Sequence, residues 1–185
     1  MVMKKGDFTK GVGFVIFLTM ALFLFMPVGE AGADMLSYAA KFVCGSKSTD
    51  TGAVKGLYAT GVNIHNPQLK EVQFMKKAVV AFAERNTTRG PISGIHPEVL
   101  DSDQAMEVDC KDIRDGLFTG VALPAHIEGF VVIMVPVDPT GGIVPELDVV
   151  TKVTARHRGS ATDFTSDVES IDIETVNPKR ILTGN

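Results

Sequence analysis

Hydrophobic and polar side chains alternate along most of the chain beyond residue 34. In the stretch LYATGVNIH, one phase of the alternation holds Tyr58, Val62 and Ile64. Asn63 and His65 share the opposite phase. A period of two is typical of a β-strand that has one face against a core and the other in water. The pattern therefore predicts a strand that ends at His65.

Other stretches extend this prediction over the rest of the chain. Alternation also marks the stretches LSYAAKFVC, VQFMKKAVVAFAE, QAMEVDC and LDVVTKVTARH. An Asn-Pro turn follows His65, so we expect the strands on either side of it to form a hairpin-like pair. The stretch HIEGFVVIMVPV is apolar in both phases, which predicts a central strand buried on two faces. The stretch DVESIDIETV alternates but is acidic, as is typical of an edge strand.

These elements predict an all-β protein. About seven short strands in about 150 residues, with no long amphipathic helices between them, favour an antiparallel β-sandwich, immunoglobulin-like or of another sandwich topology. A small β-barrel is the alternative. The stretch CKDIRDGLF indicates one or two helical turns, since Ile113 and Leu117 are four residues apart.

The first 33 residues have the pattern of a secretory signal peptide. Lysines precede an uncharged segment of 18 residues, Gly11–Val28, and Ala31-Gly32-Ala33 matches the small-residue signal for cleavage. We expect cleavage after Ala33, which makes residues 34–185 a single exported domain in the periplasm or outside the cell. The alternative is that residues 11–28 are retained as an inner-membrane anchor, because the segment is near the lower length limit for a span.

Charge narrows the classes of partner. Residues 34–185 hold 15 basic and 20 acidic side chains, for a net charge of −5. Nucleic acids and anionic lipids attract clustered positive charge, so neither is expected as a partner. Membrane contact is expected only through the N-terminal segment, if that segment is uncleaved. A protein or an envelope polymer is the expected partner, and a homo-oligomer is possible.

Two cysteines lie in the exported part, Cys44 and Cys110. Both fall in the apolar phase of their predicted strands, and an even count in an oxidising compartment favours a disulfide. A pair of buried free thiols is the alternative.

Chemistry-bearing residues are few and scattered. His65 and Asn66 adjoin the Asn-Pro turn, where polar side chains commonly satisfy backbone groups. Glu107 and Asp109 share one phase of a short acidic strand, and together they could serve as an acid–base pair or hold calcium. His126 begins the most apolar stretch. The chain lacks metal-ligand spacings, nucleophile motifs and phosphate loops, so no metal, cofactor or catalytic residue is predicted.

The order of short motifs resembles that of small exported bacterial proteins of uncharacterised function. The matching pieces are KFVCG, YATGVNIHNP, AMEVDCKDI, GFVVI and LDVVTKVT. The layout is also similar, in pattern, to the β-sandwich of sensory rhodopsin transducer proteins. These resemblances imply a sandwich and a binding role, and they imply no enzymatic activity. The transducers are cytoplasmic and lack a leader peptide, so a photoreceptor partner is not carried over.

Two functional hypotheses follow from the sequence. The favoured one is an exported, non-catalytic β-sandwich module that binds a protein partner or an envelope polymer. The alternative is a metal-dependent or acid–base hydrolase, whose site would be assembled across strands from His65, His126 and the acidic stretch around Glu107. A flat apolar surface would favour the module, and a closed pocket ringed by these residues would favour the enzyme.

Overall fold

The structure is a computed structural model that describes residues 34–49, 54–84, 86, 88–138, 144–156 and 168–182. The predicted signal segment, residues 1–33, lies outside the described residues. Nine β-strands are present in the described part, and all of their pairings are antiparallel. The protein is therefore all-β, as the alternation predicts.

The strands and the one short helix of the described ranges follow each other along the chain. They are β1 (Met35–Lys47), β2 (Gly56–His65), β3 (Val72–Val80), β4 (His96–Leu100), β5 (Ala105–Asp109), a π-helix (Asp112–Leu117), β6 (His126–Pro136), β7 (Asp148–Arg156), β8 (Val168–Thr175) and β9 (Lys179–Ile181). The count exceeds the expected seven because β4 and β9 were not predicted from the sequence.

The sheet divides into two halves at β2. The strand order is β4-β3-β6-β1-β2-β7-β8, with β5 paired to β2 and β9 paired to β1. The first residues of β2 pair with the end of β1, whereas residues 61–65 pair with β5. One half is therefore β4-β3-β6-β1, and the other is β5-β2-β7-β8. This arrangement corrects the predicted hairpin, because β3 pairs with β4 and β6 instead of β2.

One hydrophobic core lies between the two halves. Alternate residues of β1, β2 and β3 point into it, as the alternation along these strands predicts. The largest fully buried side chains come from both halves and from the helix; they include Tyr38, Phe42, Phe74, Phe118, Ile64, Ile113, Ile133 and Val149. The backbone N–H of Leu147 donates a hydrogen bond of 2.9 Å to the Tyr38 hydroxyl, which joins β1 to the start of β7 across the core.

β6 lies centrally between β3 and β1, as predicted, but it is buried on only one face. Val131 and Ile133 point into the core and are fully buried. Val132 and Met134 point the other way and are half-buried, while Phe130 is 41% exposed. The apolar second phase therefore forms a surface of the described domain and does not belong to a second core.

β8 is an edge strand, since it pairs with β7 alone among the described strands. Directly paired residues of antiparallel strands point to the same face. Glu174 pairs with the buried Thr151, so Asp172 and Glu174 lie on the core side of the sheet. Ile171 and Ile173 consequently lie on the outer side, where both are exposed.

Candidate functional site

His65 is held between two carboxylates. Its Nδ1 lies 3.1 Å from Oδ2 of Asp148, and its Nε2 lies 3.1 Å from Oδ1 of Asp103. About a third of the imidazole is exposed, and both carboxylates are largely exposed. The three side chains therefore form a surface clip at one end of the sheet.

The fold brings these residues together from distant parts of the chain. His65 ends β2 and is directly paired with Asp148, the first residue of β7. Asp103 lies in the turn between β4 and β5, where its φ of 60° places it in the left-handed region. Aspartate tolerates that region better than most residues. The clip thus joins β2 to β7 and to the β4–β5 turn.

Both ring nitrogens of His65 face oxygens that can only accept hydrogen bonds. A neutral imidazole has one N–H, whereas the imidazolium ion has two. Hydrogen bonding to Asp103, and to a lesser extent to Asp148, therefore raises the pKa of His65 above its ordinary value of 6.5. Because both nitrogens are occupied, the arrangement favours a charged structural contact over proton transfer to a substrate.

Asn66 is fully buried and connects two loops. Its amide nitrogen donates to the backbone oxygens of Lys70, Leu100 and Asp101 at 2.8–3.0 Å. Its side-chain oxygen accepts a hydrogen bond of 2.9 Å from the N–H of Gln68. Every described contact of this side chain is thus a backbone group, which gives Asn66 a structural role at the turn.

Glu107 and Asp109 lie on the exposed phase of β5, with the buried Val108 between them. The carboxylate of Glu107 lies over Gly61 on β2, where a side-chain β-carbon would collide with it. Asp109 accepts hydrogen bonds from the N–H groups of Lys111 and Asp112 at 2.7 and 2.8 Å. Asp109 therefore holds the backbone that leads into the helix.

His126 lies at the other end of the sheet from His65. Its ring packs edge-on against Tyr58, with the ring centroids 5.5 Å apart. Burial lowers the pKa of His126, and the charges of Lys47 and Arg114 lower it further against the opposing effect of Glu128. Tyr58 and His65 are seven positions apart on β2, or about 23 Å at the rise of a strand. The structure therefore does not bring His65 and His126 into one site.

The two cysteines are bonded to each other, as predicted. The Cys44–Cys110 disulfide joins β1 to the segment that links β5 to the helix. Beside it, the Arg114 guanidinium donates to the backbone oxygens of Cys44, Pro124 and Ala125. A disulfide is typical of proteins that fold in an oxidising compartment, outside the cytoplasm.

A largely apolar surface covers the outer side of β4-β3-β6-β1 and includes Ile92, which bridges to β3 just before β4. The register of the strand pairing aligns the side chains of this surface in three rows. We call these three rows together the outer face. The rows are Ser37–Met134–Met75–Pro97, Ala39–Val132–Lys77 and Lys41–Phe130–Val79–Ile92. Eight of these eleven side chains are apolar, and Phe130 and Ile92 are 41% and 64% exposed. Contiguous exposed apolar surfaces commonly mark interaction sites.

Within the described ranges, no three His, Cys, Asp or Glu side chains are arranged to hold a metal ion. No helix of the described part is both long enough and apolar enough to cross a bilayer. Comparisons with known protein families, with curated proteins and with solved structures found no match for this chain.

Proposed function

We propose that this protein is an exported, non-catalytic module that works by docking a protein onto its outer face. The observation that carries the proposal is the composition of that face. Eight apolar side chains stand in three cross-strand rows on the side of β6 that faces away from the core. Desolvating such a surface favours association, at roughly 25 cal/mol per Å² of apolar area removed from water.

The proposed location is the periplasm or the space outside the cell. The Cys44–Cys110 disulfide supports an oxidising compartment. The leader-like pattern of residues 1–33 supports export by a signal peptide.

A protein suits this surface better than an envelope polymer does. Phe130 is the one aromatic side chain of the three rows, and Ser37 the one hydroxyl group. Polymers of sugars are held by several hydrogen-bonding groups in a concave groove, whereas a flat apolar patch matches the centre of a protein interface.

The hydrolase hypothesis has no supporting arrangement among the described residues. His65 ends β2, whereas His126 packs against Tyr58 near the start of that strand, and Asp109 accepts hydrogen bonds from the backbone of Lys111 and Asp112. His65 has both ring nitrogens occupied by carboxylates. His65 and His126 therefore do not meet in one acid–base site, and the carboxylates that His65 contacts are Asp103 and Asp148 instead of Glu107 or Asp109.

Photo-cross-linking in the native envelope tests the docking proposal. Phe130 is replaced by benzoylphenylalanine, which keeps an aromatic ring on β6, the inner strand of the outer face. The matched control carries the same replacement at Leu57, an exposed apolar residue on β2 in the other half of the sheet. We expect protein adducts from position 130 and fewer from position 57. Equal yields at the two positions, or adducts to polysaccharide alone, would overturn the proposal.

A further inference from the structure

The outer face has the dimensions of one side of a small protein interface. Three rows, two residues apart, on four strands span roughly 20 Å by 19 Å, or about 400 Å² in projection. Ile95 and Val99, which are 58% and 53% exposed, extend it along the β4 edge. Two such faces would bury at least about 800 Å², and more once side-chain relief is included. That lies below the roughly 1,200 Å² at which standard specific interfaces begin, and it falls in the range of weak, transient ones.

The charges on the face limit how two copies could pack. Lys77 stands in the middle row on β3, and Lys41 stands on β1 in the row of Phe130. A two-fold axis across the strands would leave each strand over its own equivalent, so that Lys77 would oppose Lys77 of the second copy. Burying two like charges against each other is unfavourable.

A two-fold axis along β6 avoids this conflict. It exchanges β1 and β3 while it keeps each row opposite the same row. Lys77 then lies over Ala39 of the second copy, and Lys41 over its Val79. The central side chains Phe130, Val132 and Met134 pack on their own equivalents, and the lysine stems cover apolar surface while their ammonium groups reach the rim.

We propose that a second copy of this chain covers the outer face, packed about a two-fold axis that runs along β6. The inference rests on the proposed docking function and names its first partner. The strands of the two copies run nearly parallel, as in the aligned packing of β-sheets. Such an interface is isologous and closes on itself as a dimer. From its modest area, we expect a dissociation constant in the micromolar range.

Sedimentation velocity of the exported protein, from about 1 to 200 µM, measures the dimer directly. We expect Val132→Glu to raise the dissociation constant at least tenfold, because it places two carboxylates at the axis. Leu57→Glu is the matched control on the other half of the sheet and should dimerise like the wild type. Far-UV circular dichroism must show that both variants are folded.

Ala39→Glu tests the direction of the axis. With the axis along β6, each new carboxylate lies over Lys77 of the other copy, so the dissociation constant should stay the same or fall by up to about fivefold. With the axis across the strands, the two new carboxylates would oppose each other and the dimer would weaken. A weakened Ala39→Glu dimer would therefore overturn the proposed packing.

The remaining outcomes separate this inference from the docking function. A monomer at 200 µM that still gives protein adducts from position 130 would overturn the second copy as the occupant and leave the docking function standing. A monomer without adducts would overturn both. Vesicles with 30% phosphatidylglycerol provide the lipid control, and binding that Val132→Glu abolishes would assign the face to a membrane surface instead.

Discussion

His65 Nδ1 and Asp148 Oδ2 lie 3.1 Å apart although 83 residues separate them in the chain. The antiparallel pairing of β2 with β7 places these two residues opposite each other. Asp103 occupies the second ring nitrogen from the β4–β5 turn. The ion pairs of this clip therefore depend on the protonation state of one imidazole.

The first prediction is that the clip stabilises the fold more in acid than in alkali. The pKa of His65 is raised in the folded protein. A raised pKa means that the protonated imidazole stabilises the folded state. This stabilisation is fully present below pH 6.5, the ordinary histidine pKa, and is lost as the pH rises through the pKa of His65 in the folded protein. The melting temperature of the wild type should therefore exceed that of His65→Gln most clearly at pH 5 and least at pH 9.

The matched control for this experiment is His96→Gln on β4, at the far edge of the sheet. The difference in melting temperature between His96→Gln and the wild type should change less across the same pH range. All measurements stay between pH 5 and pH 9. A difference in melting temperature between the wild type and His65→Gln that grows towards pH 9 would contradict the prediction that the clip stabilises the fold in acid.

The second prediction concerns the disulfide. Cys44 and Cys110 are 66 residues apart, and closing a loop of that length restricts the unfolded chain. The chain-entropy treatment gives about 4 kcal/mol for such a loop. Cys44→Ala combined with Cys110→Ala should lower the free energy of unfolding by about that amount, measured by urea titration. Reduction of the wild type should have a similar effect, and an unchanged midpoint in both cases would contradict the prediction.

The third prediction concerns Asn66. Replacement by alanine leaves the backbone oxygens of Lys70, Leu100 and Asp101 without the buried amide group that donates to them. Unsatisfied buried acceptors cost about 1–3 kcal/mol each, so Asn66→Ala should lower the free energy of unfolding by about 3 kcal/mol. Urea titration measures the loss. Asn63→Ala, at an exposed position on β2, is the control and should change the value by no more than about 0.5 kcal/mol.

The fourth prediction separates the two faces of β6. Ile133→Asp puts a carboxylate into the core and should prevent folding, because an unpaired buried charge costs several kcal/mol. Val132→Asp puts the same group on the half-buried outer side and should leave a folded, soluble protein. Circular dichroism and the cooperativity of thermal unfolding distinguish the two variants. Failure of both to fold would show that β6 is buried on two faces after all.

β6 also illustrates how far the sequence alone could predict the fold. Alternation predicted the strands and their core-facing phases, since burial of one face imposes a period of two. An apolar second phase has two physical causes, a second core or an exposed contact surface, and local sequence does not distinguish them. β4 was missed because Pro97 and the preceding glycines resemble a loop, and β9 was missed because three residues carry too little pattern.

The candidate sites depend on contacts between strands that are distant in the chain, and the local sequence pattern does not predict which strands pair. Asn66 was expected to serve the turn, and it does so with its whole side chain. Asp103 belonged to an acidic stretch, and Asp148 began a strand, but neither position indicated that His65 would lie between them. The outer face required the register of four strands before its rows became visible.

The inward-pointing acids of β8 have a consequence for aggregation. A foreign strand that extended the sheet past β8 would press its own side chains against Asp172 and Glu174, and would strip water from both carboxylates. That penalty makes the β8 edge of the sheet a poor template for fibril growth. The two carboxylates therefore disfavour amyloid-like addition of a strand at this edge.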